Sequence, residues 1–245
     1  MTSVRARFAA ALIALIPAAG LLAAGSPAQA ATDITVKSVS VSKPAFVLSA
    51  KAGCKTSVTF TAVISGPLPT TGYEYAGVGV DLNAPGGANV DGVEFKRVGS
   101  TTTYKGSLKL CGKYAPGKYT AEIYGALLPV GGEFEFTNVV KKSITIKRPS
   151  KLTLNAAPEP VAKGKKLTAK GTLKIDGKAL SGAKVKVYFK ATGATAWTYK
   201  GTAVTTGTGA YSKKFTATKT GTWKAIYEGT GKRNYAAATD AVKVK

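Results

Sequence analysis

Histidine is absent from this chain of 245 residues. With no imidazole there is no Ser-His-Asp or Cys-His triad, no imidazole metal ligand and no histidine pH switch. Acids are scarce, 12 Asp+Glu against 35 Lys+Arg, which leaves a formal net charge of +23. Arginine is scarce too. Beyond residue 30 it occurs only at Arg97, Arg148 and Arg233, so the positive charge is almost all lysine. That scarcity of guanidinium forks disfavours specific nucleic-acid readout. Past the N-terminus no run approaches the ~20 apolar residues that span a bilayer, so no transmembrane segment is expected. There is no Gly-x-Ser-x-Gly elbow, and the turn Thr206-Gly207-Thr208-Gly209 is too short for a phosphate-binding loop. The expectation is a protein that is not an enzyme, with no catalytic residues, no metal and no cofactor.

The N-terminus has the three parts of a secretory signal. Arg5 and Arg7 form a positive region, an apolar run follows from Phe8 to Gly25, and Ala28-Gln29-Ala30 supplies small residues for cleavage. A signal peptide over residues 1–30 and a mature chain from Ala31 are expected, which makes the protein secreted or extracellular, and any cell-surface association non-covalent. Cys54 and Cys111 are the only cysteines, and an oxidising compartment makes a disulfide between them the default. It closes a loop of 57 positions. The chain-entropy argument values such a closure at about 4 kcal/mol.

Nearly the whole mature chain alternates with period two. Val58, Phe60, Ala62 and Ile64 do so, as do Ala76 to Leu82, Tyr119 to Ile123, and Val185, Val187 and Phe189. Threonine is abundant, and glycine and proline punctuate the runs. These are marks of half-buried antiparallel strands, so the fold class is all-β. Lys147-Arg148-Pro149-Ser150 separates two alternating runs and divides the chain into residues 31–148 and 149–245. Gly117-Lys118-Tyr119-Thr120-Ala121-Glu122-Ile123-Tyr124-Gly125 is echoed by Gly221-Thr222-Trp223-Lys224-Ala225-Ile226-Tyr227-Glu228-Gly229, which predicts two related domains.

That glycine-flanked strand resembles the sixth strand of bacterial immunoglobulin-like domains. The second half adds the strand Leu167 to Ile175, the turns Asp176-Gly177-Lys178 and Ser181-Gly182-Ala183, and the strand Lys184 to Lys190. It is similar to the immunoglobulin-like modules found in tandem in secreted bacterial proteins, particularly those of actinomycetes. The resemblance is clearer over 151–245 than over 32–148. It implies two tandem antiparallel β-sandwiches, used as surface spacers or binding modules, and no reaction. In such a sandwich the strand after Cys54 and the strand Gly117 to Gly125 start at one end on opposite sheets. A Cys54–Cys111 bridge is therefore expected to staple that end between sheets. Neither Trp197 nor Trp223 lies in the first domain, unlike the antibody pattern.

Two acidic constellations test the non-catalytic reading. Glu133 and Glu135 sit two apart on one strand, about 7 Å between Cα atoms, a spacing that falls within the range of glycosidase carboxyl pairs. Such pairs act from opposite sides of a sugar, so the reading is an exposed face with Phe134 and Phe136 buried beneath it. Asp81, Asn83, Asp91 and Glu94 supply oxygens in or beside one loop, yet their spacing matches no EF-hand, and Asp, Asn, Pro and Gly are ordinary turn formers.

The charge has more content. Residues 31–148 carry a net +6 and residues 149–245 a net +15. Lys184, Lys186 and Lys190 fall on one face of their strand. The neighbouring strand in an immunoglobulin-like layout holds Lys224, with Tyr188 between them. These five residues are the candidate polyanion-binding set. For an exported bacterial protein the partners expected are anionic cell-envelope or extracellular polymers, bound with strong salt dependence. Two other readings stay open: a solubilising surface in which lysine blunts sheet edges, and a secreted inhibitor or ligand-binding protein using the first-domain loops Gly66 to Tyr75 or Asn83 to Asp91 against a protein or small partner.

Overall fold

Val58, Phe60, Ala62 and Ile64 are all sealed from solvent, while Thr59, Thr61 and Val63 between them are half-buried. This alternation recurs along a computed structural model that describes residues 34–245. The signal peptide expected over residues 1–30 lies outside the described residues. The chain divides into two compact units. One contains residues up to Phe46 with Ala52–Ile146, and the other contains Val47–Lys51 with Lys147–Lys245. The boundary between strands thus falls within the Lys147–Ser150 segment, and a short piece of the first half belongs to the second unit.

In the first half the strands are β1 (Val36–Val41), β2 (Ala45–Val47), β3 (Thr56–Ile64), β4 (Tyr73–Asn83), β5 (Asn89–Glu94), β6 (Lys96–Arg97), β7 (Thr103–Leu110), β8 (Gly117–Pro129), β9 (Glu135–Phe136) and β10 (Val140–Lys147). One sheet runs β1-β3-β7-β6 and the other β2-β10-β8-β4-β5, with β9 pairing β8. The pairs β1–β3, β3–β7, β6–β7, β4–β5, β4–β8, β8–β9 and β8–β10 are antiparallel. This is an immunoglobulin-like sandwich. Its core joins Phe60 and Ile64 to Leu82, Tyr119, Ile123 and Ile144 of the facing sheet. The Tyr119 hydroxyl donates to the Ala115 carbonyl at 2.8 Å, a tyrosine corner at the start of β8.

The disulfide forms as expected, with Cα atoms 4.1 Å apart. Its position differs. Thr56 of β3 pairs directly with Leu110 of β7 in the same sheet. Cys54 and Cys111 therefore continue one ladder beyond its last pair, and the bridge joins neighbouring strands rather than opposite sheets. The expectation attached Cys111 to the strand that follows it, whereas it closes the strand that precedes it.

The half-buried pattern also fails on β4 and β8. Gly77 to Leu82 and Tyr124 to Leu128 are buried on both faces. The cause is the arm after β8. Phe134 packs edge-on to Tyr75, and Phe136 edge-on to Tyr124. Under it the buried Asp81 carboxylate accepts the Tyr124 hydroxyl at 2.9 Å. The arm is not a regular strand with both phenylalanines inward: β9 has two residues, and Phe136 is 43% exposed.

In the second half the strands are β11 (Ser150–Leu152), β12 (Asn155–Ala157), β13 (Lys166–Ile175), β14 (Lys178–Ala179), β15 (Lys184–Ala191), β16 (Thr198–Val204), β17 (Ala210–Thr216), β18 (Gly221–Tyr227) and β19 (Ala236–Val242). One sheet is centred on β13, paired with β11 and β12 on one side and β14 and β17 on the other. The second runs β16-β15-β18-β19. Asp176 and Gly177 form a two-residue hairpin turn between β13 and β14, with φ of 50° and 81°, which an Asp-Gly pair tolerates. The sheets close on Leu167, Leu173, Val185, Val187 and Tyr211, with Trp223 tilted against Phe189 and Phe215. The echo in the sequence is structural. β8 and β18 each lie inside their sheet, and Tyr119 and Trp223 occupy matching buried positions.

Candidate functional site

On β15, Val185 and Val187 are fully buried and Phe189 packs on Trp223, so Lys184, Lys186, Tyr188 and Lys190 point outward. β15 pairs with β18 in a register that sets Tyr188 opposite Lys224, Lys186 opposite Ile226 and Lys190 opposite Thr222. Buried Trp223 and Ala225 flank Lys224, which therefore shares the outward face. The sheet thus brings the five sequence-predicted residues together, with Tyr188 among the lysines.

Sequence reasoning missed three members of this surface. Trp197 lies in the hairpin between β15 and β16 and folds back over the face. The Lys224 ammonium is 4.0 Å from its ring centroid and the Lys190 ammonium 5.0 Å. Lys224 is also 5.8 Å from the centroid of Tyr188. Tyr199, 54% exposed, meets Tyr188 edge-on at 5.5 Å, across a register shift between Val187 and Tyr188. Glu228, just past β18, binds the Lys186 ammonium at 2.6 Å. That hydrogen bond raises the Lys186 pKa above its ordinary value. The signal for Trp197 and Tyr199 was their place in a hairpin following a lysine-bearing strand. The loop holding Trp197 has no period from which its direction can be read, and Tyr199, on β16, meets Tyr188 across a register shift that the sequence does not reveal.

The face is therefore a lattice of ammonium groups, two of them resting on an aromatic ring. Cation–π contacts at exposed sites are worth about 0.5–1 kcal/mol each. Their effect is to restrict where the charges stand. One charge, that of Lys186, is already matched by Glu228.

Of the two acidic constellations of the first half, the loop set is engaged in hydrogen bonds. Glu133 and Glu135 are exposed. Asp91 accepts the Tyr114 hydroxyl at 2.7 Å and the Gly92 amide at 2.8 Å. Burial, with the Asp91 hydrogen bond second, pushes the Tyr114 hydroxyl pKa up. Burial and a hydrogen bond with Glu94 do the same to Tyr75. Asn83 pairs with Asn89 across the turn. Among the described residues no group of three or more His, Cys, Asp or Glu is arranged to hold a metal ion. The two candidate loops lie at opposite ends of the eleven-residue β4, about 35 Å apart along the strand, so they do not form one surface. No helix of the described residues is long and apolar enough to cross a membrane.

No protein-family model matches this chain, and no curated protein matches it. Solved structures similar to it include a marsupial T cell receptor, 12% identical over 84% of this chain and 72% of that one, with a TM-score of 0.40. The D00–D0 domain of intimin is 15% identical over 84% of this chain and 99% of that one, with a TM-score of 0.31. The fibronectin(III)-like modules of Clostridium thermocellum CbhA are 14% identical over 84% and 95%, with a TM-score of 0.30.

Proposed function

We propose that this protein is a secreted, non-catalytic binding module that associates with anionic polymers of the bacterial envelope or extracellular matrix through the outward face of β15 and β18. The observation that carries this reading is the convergence of Lys184, Lys186, Lys190 and Lys224 around Tyr188, with Lys190 and Lys224 seated on Trp197. A row of cations on a sheet face suits a partner that repeats negative charge along its length. Each contact releases counterions, so the association weakens as salt rises. The net +15 of residues 149–245 adds long-range attraction to the local contacts. The leader expected at residues 1–30 and the disulfide both fit export, where such polymers are the abundant polyanions.

The test is sedimentation of the purified protein with washed bacterial envelopes across a salt titration, beside a variant carrying Lys184→Gln, Lys190→Gln and Lys224→Gln. Binding that falls with salt and is weakened in the variant, with a shallower salt dependence, supports the proposal. Binding that the variant retains in full overturns it.

A further inference from the structure

The sheet on the other side of the second unit also carries lysine outward. On β13, Leu167, Ala169 and Leu173 are buried, so Lys166, Thr168, Lys170, Thr172 and Lys174 face solvent. β17 pairs Lys214 with Thr168 and Ser212 with Lys170. Lys214 is therefore diagonal to both Lys166 and Lys170, at roughly 7–8 Å by sheet geometry. On β11, Lys151 stands directly opposite Lys174. Like charges placed opposite each other across a ladder are unfavourable, and among the outward positions of β11, β12, β13, β14 and β17 there is no acid to relieve them. A mainly apolar groove of about 460 Å³ opens beside Lys170, lined by Leu154, Ala210 and Tyr211, with Thr153, Thr172 and Ser212 at its polar positions. Lys166, Lys170 and Lys174 repeat every four residues, about 13 Å along the strand, with threonine hydroxyls between them.

We propose that this face is a second polyanion-binding surface, and that the two faces of the second unit allow one molecule to bridge two anionic polymer strands. The outer faces of a sandwich point away from each other across sheets about 10 Å apart, so one extended strand does not lie flat on both. Each face takes its own. Lysine ammonium groups pair with the carboxylates or phosphates, and the threonine and serine hydroxyls donate to the remaining oxygens. Binding at the Lys166–Lys174 row stands by itself, whereas bridging also rests on the function proposed for the β15–β18 face.

The experiment uses the full chain with two probes, polygalacturonate for carboxylate polymers and long-chain polyphosphate for phosphate polymers. Lysine acetylation is mapped by mass spectrometry with and without each polymer, and light scattering is followed as polymer is titrated in. Slower acetylation of Lys151, Lys166, Lys170, Lys174 and Lys214 with at least one polymer, together with scattering that rises and then falls with excess polymer, is the expected result. The polymer that gives it identifies the anion. In a variant carrying Lys166→Gln, Lys170→Gln, Lys174→Gln and Lys214→Gln, polymer binding persists and scattering disappears. Protection of Lys184, Lys190 and Lys224 without protection of the β13 row overturns this inference alone. Protection of neither set overturns both it and the proposed function. Because the acetylation map is made on the unmodified protein, the result does not depend on the variant folding.

Discussion

The Lys224 ammonium stands 4.0 Å from the centroid of the Trp197 ring, and Lys190 reaches the same ring from the neighbouring strand. One loop residue thus holds the charges of two strands. Trp197→Ala keeps every charge and removes the support. It is expected to weaken polyanion binding about two- to fivefold, the ratio that 0.5–1 kcal/mol gives, while leaving the salt slope nearly unchanged. Titration of polygalacturonate by fluorescence anisotropy of the labelled protein reads both quantities. A changed slope with unchanged affinity contradicts the supporting role.

Glu228 competes with any anionic partner for Lys186. Glu228→Gln frees that ammonium and is expected to tighten polyanion binding and to steepen its dependence on log salt by about one, as for one more released counterion. The same titration checks it. Lys186→Gln, by contrast, removes a cation already matched and is expected to cost less than Lys224→Gln.

The disulfide joins the ends of β3 and β7, two strands that already pair. Its contribution is mainly to restrict the conformational freedom of the unfolded chain. Replacing both cysteines by serine is expected to cost up to about 4 kcal/mol in the first unit, read as an earlier first transition in calorimetry. Polyanion binding, measured at 25 °C, is expected to be unaffected.

Asp176 ties the hairpin turn of the second unit to the segment Val47–Lys51 of the same unit, accepting the Ala50 amide at 2.6 Å. A hydrogen bond from Ser49, then the one from Ala50, lowers its pKa below the ordinary carboxylate value. A group whose pKa is lowered by folding stabilises the fold above its unfolded pKa of about 3.9, and that stabilisation is lost as pH falls through the lower folded value. Asp176→Asn is therefore expected to lower the melting temperature at pH 6, with the difference from the unmodified protein closing below pH 4. Thermal melts followed by circular dichroism across this range decide it.

Much of this architecture is legible in the sequence, for physical reasons that also mark where the legibility stops. Period-two alternation locates β3 and β15 and sets Lys184, Lys186, Tyr188 and Lys190 on one side, and the resemblance to immunoglobulin-like domains adds β13. The glycine-flanked echo relates β8 to β18, and the resemblance to immunoglobulin-like domains makes β18 the neighbour of β15 and so sets Lys224 beside Tyr188. The pairing of Cys54 with Cys111 was legible, but which strands it joins was not, because a cysteine in a loop has a strand on either side. The arm carrying Phe134 and Phe136 was read as a strand, since two alternating phenylalanines look the same whether they enter the main core or cover an outer face. The row Lys166, Lys170 and Lys174 is not singled out by the sequence, where lysines four apart on a strand make an ordinary solvated face. Its significance depended on Lys214 and Lys151 arriving from β17 and β11, which only pairing decides.

In the proposed function the cations of the β15–β18 face make the contacts with an anionic polymer. The most direct measurement is the slope of log affinity against log salt for polygalacturonate, taken for the unmodified protein and for Lys184→Gln, Lys190→Gln, Lys224→Gln. Loss of three contacting cations is expected to reduce the slope by about two to three. An unchanged slope with unchanged affinity contradicts the claim and moves the interaction elsewhere on the molecule.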